Sequence, residues 1–224
     1  MVAPPALDRA SLLAAVHELA ARDRQLARIV DEFGPPPLWA RPRGFPTLVR
    51  IILEQQVSLA SAAALYAKLD RHFEGRLTPA RVLAPGEAAL LSLGVTRQKA
   101  RYVVGLAAQL ESGAVSLERI ARMPDAAAGA TRVQIPGIGP GTAGVYLLMA
   151  LRRPDVWQPG DLGLHKSMAE LRGLSTVPTS DQAAAFAARW TPWRAVAARL
   201  LWHSYLSRRA HRPPGTRSPG VAGL

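Results

Sequence analysis

An all-α protein is predicted by three features of this 224-residue sequence. In almost every segment, apolar residues recur at intervals of about 3.6 residues, the period of an amphipathic helix. No stretch alternates between apolar and polar residues as a half-buried strand does. Clusters of glycine and proline separate the periodic segments. There is no repeat of fixed period, so a solenoid is not expected.

The first periodic segment predicts one helix from Ser11 to Phe33. Gly34 and the three prolines after it stop this helix and begin a connector over residues 34–44. The apolar positions of the predicted helix are Leu12, Leu13, Val16, Leu19, Ala20, Leu26, Ala27, Val30 and Phe33.

The middle of the chain predicts a series of further helices. The first begins near Phe45–Pro46 and continues to Phe73, with a break around Val57–Ser58. Shorter helices are predicted over 79–84, 85–93 and 96–112, and two more within 116–132.

The last third of the sequence predicts a glycine-rich hairpin followed by three helices. The hairpin helix ends near Leu151, and the next two helices cover about 164–172 and 180–208. Residues 208–224 have little to bury and predict a mobile basic tail.

The composition limits the chemistry. Without cysteine, the chain has no disulfide, no thiolate-bound zinc and no cysteine-ligated iron–sulfur cluster, which suits a reducing compartment. No early segment resembles a signal peptide, and no apolar run is long enough to cross a bilayer. The net charge of +12 comes mainly from arginine and indicates a polyanion partner, most commonly nucleic acid. An arginine-rich proteome explains the charge about equally well.

The stretch IPGIGPGTAGVYLL, residues 135–148, is the most informative part of the sequence. A helix precedes it, so the unit is a helix–hairpin–helix and not a dinucleotide-binding loop. Gly137 and Gly139 can adopt positive φ angles or permit close backbone approach. The amides from Gly139 through Gly141 to Thr142, with the Thr142 hydroxyl, suit a DNA phosphate and read no bases. The alternative is an ordinary glycine-capped turn.

Four segments in the right order resemble the helix–hairpin–helix DNA glycosylase superfamily, and most of all its 3-methyladenine DNA glycosylase II branch. They are the hairpin, QPGDLGLHK (158–166), FPTLVRIILEQQVSLASAAALY (45–66) and WTPWRAVAARLLWHSYL (190–206). The resemblance covers most of residues 10–207. It implies an all-α fold of two lobes with the active-site cleft between them. One lobe would be a bundle over 45–151 that ends in the hairpin, and the other would combine 1–44 with 152–207.

The resemblance places the catalytic aspartate of the family at Asp161. A carboxylate at that position stabilises the oxocarbenium-like sugar as the N-glycosidic bond breaks, and it can orient or deprotonate the attacking water. Alkylated purines suit this mechanism because their positive charge makes them good leaving groups. The alternative is that Asp161 only caps the helix carrying Leu164 and Met168. The two roles are compatible.

Bifunctional relatives carry a Schiff-base lysine just before the Thr–Ala pair of the hairpin, where this chain has Gly141. The resemblance therefore implies a monofunctional hydrolase without lyase activity. Relatives specific for alkylated bases often place an aromatic residue there. Gly141 departs from that pattern as well, which leaves one wall of the base pocket undefined.

The target base must leave the duplex before it is attacked. The resemblance assigns the gap that the base leaves to Gln56, with Gln55 beside it; polar helix surface is the alternative for both. Trp202 matches the stacking tryptophan of the family, and Tyr146 and Trp39 are further candidates for the base pocket. Core packing is the alternative for each aromatic residue.

Relatives bind a weak structural cation, Na⁺ or K⁺, through main-chain oxygens of the hairpin, which correspond here to Val133, Ile135 and Ile138. No other cofactor is expected, and the five histidines lack the spacing of a metal site. The resemblance implies a monomer in the bacterial cytoplasm, associated with the nucleoid and not with a membrane. Its partner would be double-stranded DNA that contains a damaged base.

The expected reaction is hydrolysis of the N-glycosidic bond of alkylated purines, such as 3-methyladenine or 7-methylguanine, in base excision repair. Two alternatives stay open. One is a glycosylase for a deaminated or oxidised base, and the other is a non-catalytic protein that uses the hairpin only to bind DNA.

Overall fold

The computed structural model describes residues 6–124 and 137–211. These residues contain helices and no β-strand, which confirms the all-α prediction. In the same residues, no helix is both long and apolar enough to cross a membrane. The α-helices are α1 (Arg9–Arg22), α2 (Arg24–Phe33), α3 (Phe45–Glu54), α4 (Leu59–His72), α5 (Pro79–Leu83), α6 (Gly86–Ser92), α7 (Arg97–Glu111), α8 (Leu117–Arg122), α9 (Pro140–Val145), α10 (Leu162–Arg172), α11 (Ser180–Ala187) and α12 (Arg194–Ala210). A π-helix, Tyr146–Ala150, follows α9, and a 3-10 helix, Ala188–Trp190, follows α11.

The single helix predicted over residues 11–33 is wrong, because α1 and α2 are separate helices. Asp23 lies between them with extended backbone angles, φ −135° and ψ 102°. Its Oδ1 accepts hydrogen bonds from the amides of Gln25 at 2.9 Å and Leu26 at 3.2 Å. An aspartate cap ends one helix and starts the next while the apolar pattern continues. The periodicity therefore hides the break.

The long helix predicted over residues 180–208 is also interrupted. α11 passes into the 3-10 helix, which ends at Trp190, and α12 starts only after Pro192. Proline lacks the amide hydrogen that a continuous helix would need there. At the other end, α12 extends to Ala210, so Arg208 is helical and not part of a tail. Its Nη2 lies 2.6 Å from Glu32 Oε2. Residues 212–224 of the predicted tail lie outside the described residues.

Two compact units divide the chain. Among the described residues, the first unit comprises 41–124 and 137–146, and the second comprises 6–40 and 147–211. The second unit is therefore discontinuous in sequence. The predicted bundle over 45–151 begins four residues after the start of the first unit and ends five residues after its end.

The first unit is organised around α3, which has eight buried residues among its ten. α3 packs against α4, α7 and α9. The predicted break near Val57–Ser58 is observed over residues 55–58. Gln55 is extended there, and Gln56 has a left-handed φ of +57°. The Ser58 hydroxyl then caps α4 by accepting a hydrogen bond from the Ser61 amide at 3.2 Å.

The second unit is organised around α12, which packs against α1, α2 and α10. Arg199, on α12, is fully buried. Its guanidinium donates to the carbonyls of Leu38 at 3.0 Å, Ala195 at 3.0 Å and Leu148 at 2.6 Å. Burial lowers the pKa of Arg199 to about 10, so the side chain stays charged at neutral pH. The planar guanidinium of Arg199 thereby links α12 both to the connector after α2 and to the π-helix.

Candidate active site and nucleic-acid interface

The hairpin turn in the first unit is built around Gly137. Its φ of +80° lies in the left-handed region that favours glycine. A Cβ placed on Gly137 would also overlap the ring of Tyr102, on α7. The Tyr102 hydroxyl in turn accepts a hydrogen bond from Gln98 Nε2 at 2.9 Å. Both the backbone angle and the approach of Tyr102 therefore require glycine at position 137.

The Gln55 side chain, at the end of α3, forms hydrogen bonds with this hairpin. Its Nε2 donates to the Gly137 carbonyl at 3.0 Å and to Thr142 Oγ1 at 2.7 Å. Both distances are those of well-formed hydrogen bonds. A single half-buried amide therefore contacts both the turn and the first turn of α9.

α9 begins directly after the turn. Gly139 is its N-cap, with an extended backbone, and Pro140 occupies the first helical position. Gly141 and Thr142 complete the opening turn, and the Thr142 side chain is buried. Amides in the first turn of a helix have no acceptor within that helix, and the helix dipole adds positive character to them. The hairpin thus has the local structure that suits an anion.

Asp161 lies in the second unit, at the start of α10. It is the N-cap of this helix, and its Oδ1 accepts a hydrogen bond from the Leu164 amide at 2.8 Å. The same oxygen accepts a second hydrogen bond from Trp202 Nε1, on α12, at 3.1 Å. Both contacts fall on Oδ1, so the carboxylate is held through one of its oxygens. Gly163 approaches the same oxygen, since a Cβ built on Gly163 would lie 3.2 Å from Oδ1.

Burial raises the pKa of Asp161 above the ordinary value of an aspartate. The hydrogen bonds from Leu164 and Trp202 act in the opposite direction, because they stabilise the charged carboxylate. His165 lies one turn along α10, and burial lowers its pKa, which favours the neutral imidazole at pH 7. In the described part of the chain, its buried Nε2 has no hydrogen-bond partner.

Trp39 completes the aromatic surroundings in the second unit. Its ring meets that of Trp202 edge to face, with centroids 6.3 Å apart, and meets that of His203 at 6.4 Å. Trp202 is 1% exposed, whereas Trp39 is only half-buried. Trp39 also has a positive φ of +47°, and the carbonyl just before it, that of Leu38, is held by Arg199. The buried arginine therefore holds the backbone directly before Trp39.

Residues 49–193, more than half of the chain, match the family described as HhH-GPD superfamily base excision DNA repair protein. The chain belongs to this superfamily. A "DNA-3-methyladenine glycosylase" of Bacillus subtilis is 29% identical to this HhH-GPD protein over 197 residues, which are 83% of this chain and 65% of the relative. "DNA-3-methyladenine glycosylase 2" of Escherichia coli is 30% identical over 166 residues, 70% of this chain and 56% of the relative. The chain thus spans less than two thirds of the length of either relative.

A solved structure supports the same assignment of the fold. The crystal structure of a DNA-3-methyladenine glycosidase from Bacillus halodurans is similar to this HhH-GPD protein, with a TM-score of 0.75 and 26% identity. The match covers 88% of this chain and 91% of that one. The helical HhH-GPD glycosylase fold predicted from the sequence is therefore confirmed.

The structure brings together three of the predicted site residues in the second unit: Asp161, Trp202 and Trp39. Tyr146 belongs to the first unit. Its ring is 4% exposed and its hydroxyl accepts a hydrogen bond from the Gly44 amide at 3.1 Å. Burial also raises its pKa. These contacts are those of a packed side chain, and the base-pocket role of Tyr146 stays a prediction.

The two glutamines at the end of α3 differ in their surroundings. Gln55 is half-buried on the hairpin, whereas the Gln56 side chain is exposed. Of the three residues predicted to bind a cation, Val133 and Ile135 lie outside the described residues, and the Ile138 side chain is buried. Across residues 6–124 and 137–211, no cluster of histidine and acidic side chains is arranged to bind a metal.

Sequence reasoning missed Tyr102 and Arg199, and it gave Gln55 no contact with the hairpin. Tyr102 and Gln55 contact a hairpin that is far from them in the sequence, and no local pattern indicates such contacts. Arg199 does carry a signal, because it is a charged residue within the otherwise apolar run AVAARLLW. A charge on the apolar face of a helix predicts a buried, hydrogen-bonded group.

Proposed function

We propose that this protein is a monofunctional DNA glycosylase that removes alkylated purines from duplex DNA by hydrolysis and leaves an abasic site. The observation that supports the proposal most is how the Asp161 carboxylate is held. Its carboxylate is fixed through Oδ1 at the N-terminus of α10 and is half-buried beside aromatic rings. The names of the relatives in Bacillus subtilis and Escherichia coli support the substrate class.

In the proposed reaction, Oδ2 of Asp161 faces the sugar of the damaged nucleotide. As the bond between C1′ and the base nitrogen breaks, its electron pair leaves with the base, and positive charge develops on the sugar. The carboxylate stabilises that charge and accepts a proton from the attacking water. A methylated purine such as 3-methyladenine already carries positive charge, so it leaves without protonation by a second acid.

The two tryptophans are proposed to act differently. Trp202 is buried and its indole N–H is used on Asp161, so it orients the carboxylate. Trp39 retains exposed surface and is proposed to stack on the electron-poor base. The aromatic ring supplies cation–π attraction, which selects charged bases over normal ones.

The hairpin is proposed to hold a phosphate of the damaged strand through the opening amides of α9, while Gln56 fills the space that the base vacates. These contacts are independent of base identity and position the duplex. The net charge of +12 favours the same partner.

Absence of lyase activity is proposed because Gly141 has no side chain at the lysine position of bifunctional relatives. Lys99 is engaged elsewhere, since its Nζ donates to the Leu53 carbonyl at 2.7 Å. A Schiff base would need an amine at the sugar carbon.

A panel of duplexes, each with one defined lesion, tests the substrate class by chromatography of the released base. We expect release of 3-methyladenine and 7-methylguanine, and slower or no release of deaminated or oxidised bases. Release of only an oxidised or deaminated base would move the protein to another lesion class. Absence of any release would leave only a DNA-binding role. Borohydride treatment during turnover tests the monofunctional assignment, and a covalent protein–DNA adduct would contradict it.

A further inference from the structure

The end of α3, directly before the turn that contains Gln56, is held by several hydrogen bonds. Glu54, the last residue of α3, is 4% exposed, and its carboxylate meets Arg41 in two hydrogen bonds of 2.8 and 3.1 Å. Arg50 Nε adds a third at 3.2 Å. The Leu53 carbonyl accepts the hydrogen bond from Lys99. Buried hydrogen-bonded ion pairs of this kind fix local geometry.

Gln55 and Gln56 occupy opposite environments one residue apart. Gln55 is extended, with φ −60° and ψ 126°, and its side chain reaches the hairpin. Gln56 is left-handed, with φ +57°, and its side chain is exposed. A side-chain-bearing residue seldom adopts a positive φ, and it keeps such an angle when its neighbours impose it. Gln55, the residue before it, is held by its two hydrogen bonds to the hairpin.

We propose that Gln55 is a positioning residue that couples the gap-filling turn to the phosphate-binding hairpin. Its one amide nitrogen contacts Gly137 and Thr142, so hairpin and turn move as one piece. The Thr142 hydroxyl accepts this hydrogen bond through a lone pair and keeps its own proton to donate. Placement of a DNA phosphate on the hairpin and entry of Gln56 into the duplex then become one event. This inference rests on the proposed function.

The experiment is a double-mutant cycle on DNA binding with the full-length protein. The variants are Gln55→Met, which keeps the side-chain length and removes the amide, Gln56→Ala, and the double variant. Binding is measured by fluorescence anisotropy on an undamaged duplex and on the same duplex with a stable abasic analogue. The base opposite the analogue is 2-aminopurine, whose fluorescence reports entry of a side chain into the gap.

On the abasic duplex we expect each single variant to bind about tenfold more weakly. A loss of this size corresponds to the net contribution of about one hydrogen bond. The double variant should lose little more than either single variant, because the two residues act in one step. Gln55→Met should reduce the 2-aminopurine response although Gln56 is intact. A merely structural role for Gln55 would not change that response. Affinity for the undamaged duplex should change by less than about threefold.

Gln182→Met is the matched control, since it removes a glutamine hydrogen bond in the cap of α11, in the second unit. It should leave both affinities unchanged. Gln55→Glu is a second test if Gln55→Met does not fold, because it keeps the shape of the side chain and replaces the donor with an oxygen.

Losses that multiply in the double variant, to about a hundredfold, would overturn the coupling, as would equal losses on both duplexes. A normal 2-aminopurine response in Gln55→Met would also overturn it. Base release by the wild-type protein separates this result from the function. Release together with multiplying losses refutes the coupling alone, whereas coupled losses without any release refute the glycosylase and keep the coupling.

Discussion

Asp23 and Asp161 are two aspartates with nearly the same local design. Each is the N-cap of a helix in the second unit, and each accepts a hydrogen bond from a tryptophan indole. At Asp23 the two kinds of contact are divided: Oδ1 accepts backbone amides, and Oδ2 accepts Trp190 Nε1 at 2.8 Å. At Asp161 both kinds of contact fall on Oδ1.

We propose that this difference distinguishes a structural carboxylate from a catalytic one. Asp23 uses both oxygens to join two helices to Trp190. Both hydrogen bonds of Asp161 fall on Oδ1, and they orient the whole carboxylate, including Oδ2. The alternative that Asp161 is only a cap treats the two residues as equivalent, and the distribution of their contacts argues against it.

The largest expected effect is on base release. Asp161→Asn should reduce release of methylated purine by about a thousandfold or more, because the developing positive charge loses its counter-charge. Binding to the same duplex should stay close to wild type, since the hairpin is unchanged. Single-turnover release and anisotropy on the same duplex measure the two quantities.

Asp23→Asn is the matched control for this loss. It removes the equivalent charge from the equivalent position of another helix, and release by the folded protein should be unaffected. Similar losses in both variants would mean that a general charge effect, and not the position of Asp161, determines the rate.

The second comparison concerns stability. Asparagine has one carbonyl oxygen and can replace aspartate only where a single oxygen accepts. Asp23→Asn should therefore lose a hydrogen bond and destabilise the protein by about 1–2 kcal/mol, whereas Asp161→Asn keeps both of its contacts. Urea unfolding at pH 7 measures the difference, and equal destabilisation by the two changes would show that both oxygens of Asp161 are needed for folding.

The pH dependence of Asp161→Asn follows from the raised pKa of Asp161. Because its pKa is higher in the folded state, the protonated Asp161 stabilises the folded protein. This contribution to the free energy of unfolding is complete below the unfolded pKa, about 4, and is lost as pH rises through the folded pKa. The wild-type protein therefore bears the cost of a buried charge at pH 7. Relative to wild type, Asp161→Asn should be more stable at pH 7 than at pH 3.

The smallest expected effect is a shift in the acidic limb of the rate profile. Trp202→Phe removes a hydrogen bond that lowers the pKa of Asp161, so that pKa should rise further. Base release would then begin to fail at a higher pH than in the wild-type protein. Trp190→Phe, at the structural aspartate, should leave the limb in place. A limb that does not move in Trp202→Phe would show that another group titrates.

Much of this fold could be predicted because helical periodicity and Gly/Pro breaks are local signals. The same reasoning failed at Asp23, because a capping residue can interrupt the backbone without interrupting the apolar pattern. It also joined α11 and α12 into one helix over 180–208, although Pro192 lies between them. The resemblance to the glycosylase family singled out Asp161, and its catalytic role stays a prediction. The contacts of Gln55, Tyr102 and Arg199 could not be predicted, since each joins segments that only the folded chain brings together.

The discontinuity of the second unit has a consequence for biosynthesis. Residues 6–40 are translated well before the segment they pack with, 147–211. The described residues of the first unit end at residue 146, so they are translated in between. Until α12 is synthesised, the carbonyl of Leu38 has no Arg199 to contact, and the apolar faces of α1 and α2 lack their cover. Until α12 is made, the apolar residues of α1 and α2 that pack on it therefore stay uncovered, and uncovered apolar surface of this kind is prone to aggregation.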